Sequence, residues 1–143
     1  LYIGAPISGH YSTLVRDTIQ SALNAGFKVA VYDIKNARDV PASAGDFGLD
    51  DCVDYHKEFI EHLGRTIDPV VNVQAICQAT VPVSRAAAAL AKEGSPFTPF
   101  TLTLDAGPMN PRASMTEVTE FAQKHDIGWF KSNLITKVPA WFD

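Results

Sequence analysis

The chain has 143 residues, of which 46% are hydrophobic and 20% charged, so it composes a folded domain or part of one rather than a disordered segment. Sixteen acidic side chains against twelve basic ones leave a net charge of −4, which argues against a nucleic-acid surface, and no apolar run reaches the ~20 residues that span a bilayer. Two cysteines, Cys52 and Cys77, with no CxxC pair and no Cys/His cluster, argue against structural zinc and a disulfide scaffold and for reduced, cytoplasmic thiols.

No signal peptide is evident. The chain opens on strand-like Leu1-Tyr2-Ile3 and stops at Trp141-Phe142-Asp143, and both ends are expected to continue in a longer protein. Residues 1–5 predict a first strand ended by Pro6, and a helix follows over 11–25, with Leu14, Val15, Ile19, Ala22 and Leu23 at helical spacing and Gly26 past its end. Residues 27–34 form an apolar, β-branched run of strand length, read as a strand covered on both faces. A loop over 36–48 holds Pro41, Gly45 and Gly48. Asp50 or Asp51 caps a second helix whose inner face carries Val53, His56, Ile60 and Leu63, with Gly64 as its stop. A third strand covers 69–76, a third helix 80–92 with Pro82 in its first turn and Gly94 beyond it, and a fourth strand 97–104. After a loop over 105–112, Ser114 and Glu117 suggest a capping box for a helix reaching His125, and residues 127–143 match no single template. Strand and helix alternate three times, which predicts an α/β fold with a parallel sheet, helices on both faces and chemistry at the carboxyl ends of the strands.

The third strand runs into the third helix with almost no loop. The junction Ala75-Ile76-Cys77-Gln78-Ala79 has the form small-x-nucleophile-x-small. Such a spacing suits a nucleophile elbow, where the reactive residue sits on a sharp strand-to-helix turn and its neighbours two away must be small. The start of a helix favours an anion at Cys77, and the Gln78 backbone N–H would face an oxyanion. The competing reading of a lone cysteine is a small buried hydrophobe.

These segments together resemble a known family. Pro6-Ile7-Ser8-Gly9-His10-Tyr11 before a helix, then Tyr32-Asp33, Val40-Pro41, Asp50-Asp51, Ala75-Ile76-Cys77-Gln78, Val81-Pro82 and Gly107-Pro108 are similar to the intracellular polyhydroxyalkanoate (poly-3-hydroxybutyrate) depolymerases, and the likeness covers nearly the whole chain. The resemblance implies a partial α/β-hydrolase fold in which Cys77 attacks an ester carbonyl of the polymer. It implies a second oxyanion donor among the backbone N–H groups near Ile7 and Ser8, with Gly9 allowing close approach and His10 near the site. It implies no metal and no resident cofactor, release of the acyl group by water or by a thiol such as coenzyme A, and a 3-hydroxyacyl oligomer or the surface of a cytoplasmic storage granule as partner. Residues 1–112 would then be the sheet core and 113–143 the start of a helical insert or lid within one partial domain, 1–143.

The family's acid and histidine lie well beyond the nucleophile, and the 66 residues after Cys77 leave no position to inherit their roles. Asp105 and His125 follow Cys77 in triad order, but His125 reads as a helix-end residue. His56 and Cys52 read as packing on the second helix, Asp50-Asp51 as capping, and Ser84-Arg85 with Ala86 to Ala89 as helix faces. Two other functions fit the same residues: a polyhydroxyalkanoate synthase-like acyltransferase, against which Ala75 and Ala79 weigh because its elbow more typically carries glycines, and a non-catalytic α/β-hydrolase fragment.

Overall fold

The computed structural model describes residues 1–136. Four strands, β1 (Tyr2–Gly4), β2 (Ala30–Tyr32), β3 (Asn72–Ile76) and β4 (Thr101–Asp105), form one sheet in the order β2-β1-β3-β4. Every pairing in it is parallel. The connecting helices are α1 (Arg16–Asn24), α2 (Leu49–Thr66) and α3 (Thr80–Glu93), followed by α4 (Glu117–Lys124) and α5 (Ile127–Asn133). The chain is therefore α/β, with a sheet arrangement consistent with part of a larger α/β fold.

Helices lie on both faces of the sheet. On one, Cys52 and Ile60 of α2 and Val83 and Leu90 of α3 close over Tyr2, Tyr32, Val73 and Ala75. Full burial of side chains such as Ile60, Val83 and Leu90 contributes about 1.5–3 kcal/mol each. On the other face Val15 and Ile19 pack with Ile3, Ala5, Val31 and Ile76. That second core stops at β3. The neighbouring positions of β3 and β4 are polar instead, and they satisfy one another: Thr101 Oγ1 donates to Asn72 Oδ1 at 2.7 Å, and Gln74 Nε2 donates to Asp105 Oδ2 at 2.6 Å.

Several boundaries differ from those expected. The helix expected over 11–25 begins later, because Tyr11 and Ser12 adopt positive φ and Thr13–Val15 forms a 3₁₀ turn. Only residues 30–32 of the expected 27–34 strand pair with β1, whose own partners run no further. Gly64 does not stop α2, which continues to Thr66. Its role is space: a Cβ there would collide with the Phe97 ring. The start of α2 is fixed by Asp51 as expected, but from inside the first turn, its carboxylate accepting the Gly48 N–H at 2.7 Å. Cys52 joins His56 and Ile60 in the fully buried stripe, while Val53 and Leu63 are half-buried. The cap of α4 sits two residues beyond the expected Ser114: Thr116 and Thr119 each accept the other's backbone N–H, at 3.2 and 2.7 Å. Of the segment expected to start an insert or lid, residues 113–136 hold α4 and α5, and 137–143 lie outside the described residues.

His56 is the one buried histidine among the described residues. Its Nδ1 shares a 2.6 Å hydrogen bond with the Tyr2 hydroxyl, its ring lies 4.5 Å from that of Tyr32, and its Nε2 has no partner. Burial pushes its pKa down to about 4. The unfolded chain therefore takes up a proton near pH 6.5, before the folded one does. Stability from this group is complete above about pH 6.5 and is lost as pH falls toward 4, by an amount on the order of 3 kcal/mol. Urea unfolding of the parent and of His56→Phe at several pH values between 7 and 4 should show the parent losing that much more than the variant. Parallel pH curves would contradict it.

Candidate functional site

The strand order creates the site. From β1 the chain first steps outward to β2, then returns past β1 to β3, so the connections leave β1 and β3 in opposite directions. Between the carboxyl ends of two such strands lies the crevice where open α/β sheets bind ligands. Gly4 pairs with Ala75, and two residues further along the two strands come Pro6 and Cys77.

Cys77 lies at the turn itself. It follows the last residue of β3, opens a 3₁₀ turn (Cys77–Ala79) that runs directly into α3, is exposed, and has φ 55°. Left-handed backbone at a non-glycine residue costs about 1–2 kcal/mol and recurs at functional sites. The surroundings hold it there. Thr80, fully buried, donates its hydroxyl to the Cys77 carbonyl at 2.8 Å. Ala75 and Ala79 are buried, and a Cβ on Gly4 would stand 2.9 Å from Val83 Cγ2 and 3.4 Å from Ala79 Cβ. The smallness expected at positions 75 and 79 thus extends to Gly4 on the neighbouring strand.

A second loop flanks the turn. Beyond β4, Ala106 also has positive φ, at 48°, and Gly107 lies so close to Thr80 that any Cβ would overlap its side chain. Ser84 of α3 reaches Met109 Sδ at 3.9 Å. Gly107 and Thr80 were not assigned positioning roles by sequence reasoning; the signal for them was the turn-type run Asp105-Ala106-Gly107-Pro108 at the end of a strand.

Ile7 and Ser8 are exposed on the loop after β1, and Gly9 is half-buried with Leu14 Cδ1 3.1 Å from where its Cβ would stand. His10 is half-buried and its Nδ1 donates to the Ile34 carbonyl at 3.1 Å. Gln78 is exposed beside Cys77. The topology thus brings Ile7, Ser8, Gly9 and His10 to the same sheet edge as Cys77 and Gln78. It does not join Asp105 or His125 to them by any hydrogen bond among the described residues. The Asp105 carboxylate is taken by Gln74, and His125 caps α4 with Nδ1 on the Phe121 carbonyl at 2.9 Å and its ring 3.9 Å from Trp129. His62 is exposed on α2.

Two cavities lie away from this turn. One of about 450 Å³ opens at the amino edge of the sheet among Leu1, Phe27, Leu63 and Val71, and one of about 810 Å³ opens beyond β2, walled by Phe47, Tyr55 and Phe59. Neither is lined by Cys77, which is exposed. Among the described residues no His, Cys, Asp and Glu group is placed to hold a metal ion, and no helix is long and apolar enough to cross a membrane. Comparison with protein-family models, curated proteins and solved structures finds no match to the chain.

The two thiols differ sharply. Cys52 is buried beside the Tyr32 hydroxyl at 3.8 Å, and burial raises its pKa, an effect the Tyr32 contact only partly opposes. Cys77 should therefore react with iodoacetamide faster than Cys52 by on the order of a hundredfold or more, since Cys52 must await local opening. Peptide mass spectrometry after brief labelling of the folded protein reads the order, and preferential labelling of Cys52 would remove Cys77 from consideration.

Proposed function

We propose that the chain carries the nucleophile half of a cysteine-dependent ester hydrolase of the polyhydroxyalkanoate depolymerase type. The observation that carries this reading is the left-handed, exposed Cys77 on a loop-free turn at the switch point between β1 and β3. A cysteine serving only as packing would gain nothing from exposure or from a disfavoured backbone.

In the reaction, the Cys77 thiolate adds to the ester carbonyl carbon and a carbon–sulfur bond forms. The oxygen of that carbonyl becomes an oxyanion, facing the backbone N–H groups of Gln78 and Ile7. Collapse of the adduct breaks the carbon–oxygen ester bond, and the departing alkoxide takes a proton from water. A second water then hydrolyses the thioester, releasing the carboxylic acid and regenerating the thiol; a thiol such as coenzyme A in place of that water would give an acyl thioester instead. Cys77 is exposed, so its thiol is accessible to a segment of a polymer chain. A 3-hydroxyacyl polymer at a granule surface is the substrate class we assign on the residue pattern described above.

The histidines bear on rate. His10 is held by a carbonyl, His56 is buried, and His125 is engaged at the end of α4, so none of these is hydrogen-bonded to the thiol. General-base assistance typically contributes ~10²–10⁴-fold, and its absence falls hardest on deacylation. With p-nitrophenyl butyrate the 143-residue chain should release a burst of about one equivalent of p-nitrophenolate, then turn over slowly, with the acyl group on Cys77 by mass spectrometry. Cys77→Ala should abolish the burst. Rapid steady-state turnover lost in His125→Ala would instead show that Asp105 and His125 reach the thiol.

A further inference from the structure

Three consecutive residues after β1 are fastened to three consecutive residues at the end of β2. His10 Nδ1 donates to the Ile34 carbonyl at 3.1 Å, the Tyr11 N–H to Asp33 Oδ2 at 3.1 Å, and the Ser12 hydroxyl to the Tyr32 carbonyl at 3.4 Å. The fastening holds an unfavourable backbone in place, since Tyr11 and Ser12 have φ 61° and 51°. Packing of the side chain does not offset this at Tyr11, which is 87% exposed. Asp33 is also exposed, so its carboxylate is not there to fill a core. A carboxylate accepting a backbone N–H is the strongest kind of bond in the set.

The segment between these bonds and β1 leaves the sheet at the same carboxyl edge as the Cys77 turn, on the neighbouring strand. One end is fixed by the Gly4–Ala75 pairing and the other by the three bonds to β2. We infer that Asp33 is a positioning residue for the site. By accepting the Tyr11 N–H it holds residues 7–10 against the Cys77 turn, with the Ile7 N–H aimed at the oxygen of the reacting carbonyl. This inference rests on the reading of Cys77 as an acylated nucleophile. An oxyanion donor must sit within a few tenths of an ångström of its target, and a misplacement of 1 Å costs about a hundredfold.

The test follows two reactions of Cys77 side by side. Acylation by p-nitrophenyl butyrate develops an oxyanion, whereas alkylation by iodoacetamide does not. Asp33→Ala should slow the acylation burst by about tenfold to a hundredfold while leaving the alkylation rate within about twofold of the parent. Asp33→Asn, which keeps an oxygen for the Tyr11 N–H, should restore most of the burst rate. Should Asp33→Ala fail to fold, Tyr11→Val carries the comparison. It leaves Asp33 intact and penalises φ 61° at an exposed position, and it should slow the burst in the same selective way. A Cys77-dependent burst that keeps its parent rate in Asp33→Ala, or in Tyr11→Val in its stead, overturns the role of Asp33 alone. So does a variant in which acylation and alkylation slow equally. A parent chain with no burst, or with a burst that survives Cys77→Ala, overturns the nucleophile reading and this inference together.

Discussion

The passage from β3 into α3 through a single 3₁₀ turn, Cys77–Ala79, with no loop between them, is the constraint on which the rest of the molecule depends. A strand and a helix joined without a loop bring their backbones nearly into contact, so the side chains around the joint must be small or absent. Ala75 and Ala79 meet that demand on the chain itself, Gly4 on the neighbouring strand and Gly107 on the loop beyond β4. The close approach permitted by Gly4 draws α3 down onto β1, where Val83 fills the space a side chain would have taken. With α3 fixed there, α2 lies beside it, joined by the buried Ile60 and Leu90 and by a 2.6 Å ion pair between Lys57 and Glu93. The strained Cys77 is thus held by the packing of both core helices rather than by any one bond.

Much of this is legible in the sequence because the signals are local. Alternating apolar runs and helical periodicities gave the element order, and Gly94 at φ 69° ends α3 where a C-terminal glycine should. The spacing of Ala75, Cys77 and Ala79 pointed to the turn because the requirement for small residues falls on neighbours in the chain. Where the requirement falls across the fold, the sequence was mute. Gly64 looked like a helix stop, yet its purpose is to admit Phe97, more than thirty residues away. Gly4 read as one more apolar strand position, and Asp33 as the end of a strand. Their partners, Val83 and Tyr11, become neighbours only once the sheet has formed. Cys52 was recognised as packing, but the rise in its thiol pKa comes from burial under side chains distant in the chain.

The two faces of the sheet are unequal, and the difference follows from residue type. On the α2–α3 face every strand offers apolar side chains. On the α1 face the apolar positions end with Ile76, and Asn72, Gln74, Thr101, Thr103 and Asp105 occupy the remaining places. Paired hydrogen bonds between β3 and β4 satisfy four of these five side chains, as polar groups on a sheet require. The α1 side therefore carries a small core that anchors β1 and β2, the strands whose following loops are joined by the His10, Tyr11 and Ser12 hydrogen bonds.

The strand order also governs when the site can exist. β1 and β3 are neighbours in space, yet Ile7 and Cys77 stand 70 positions apart, with β2 and the whole of α2 between them. No short-range event assembles that crevice; its two walls meet only after the longest loop closures in the sheet have been made. A ligand that touched both walls would recognise the folded sheet and no earlier state. By linkage, its binding energy is added to the β1–β3 pairing itself, so occupancy of the crevice would lock the sheet at the seam where the chain doubles back.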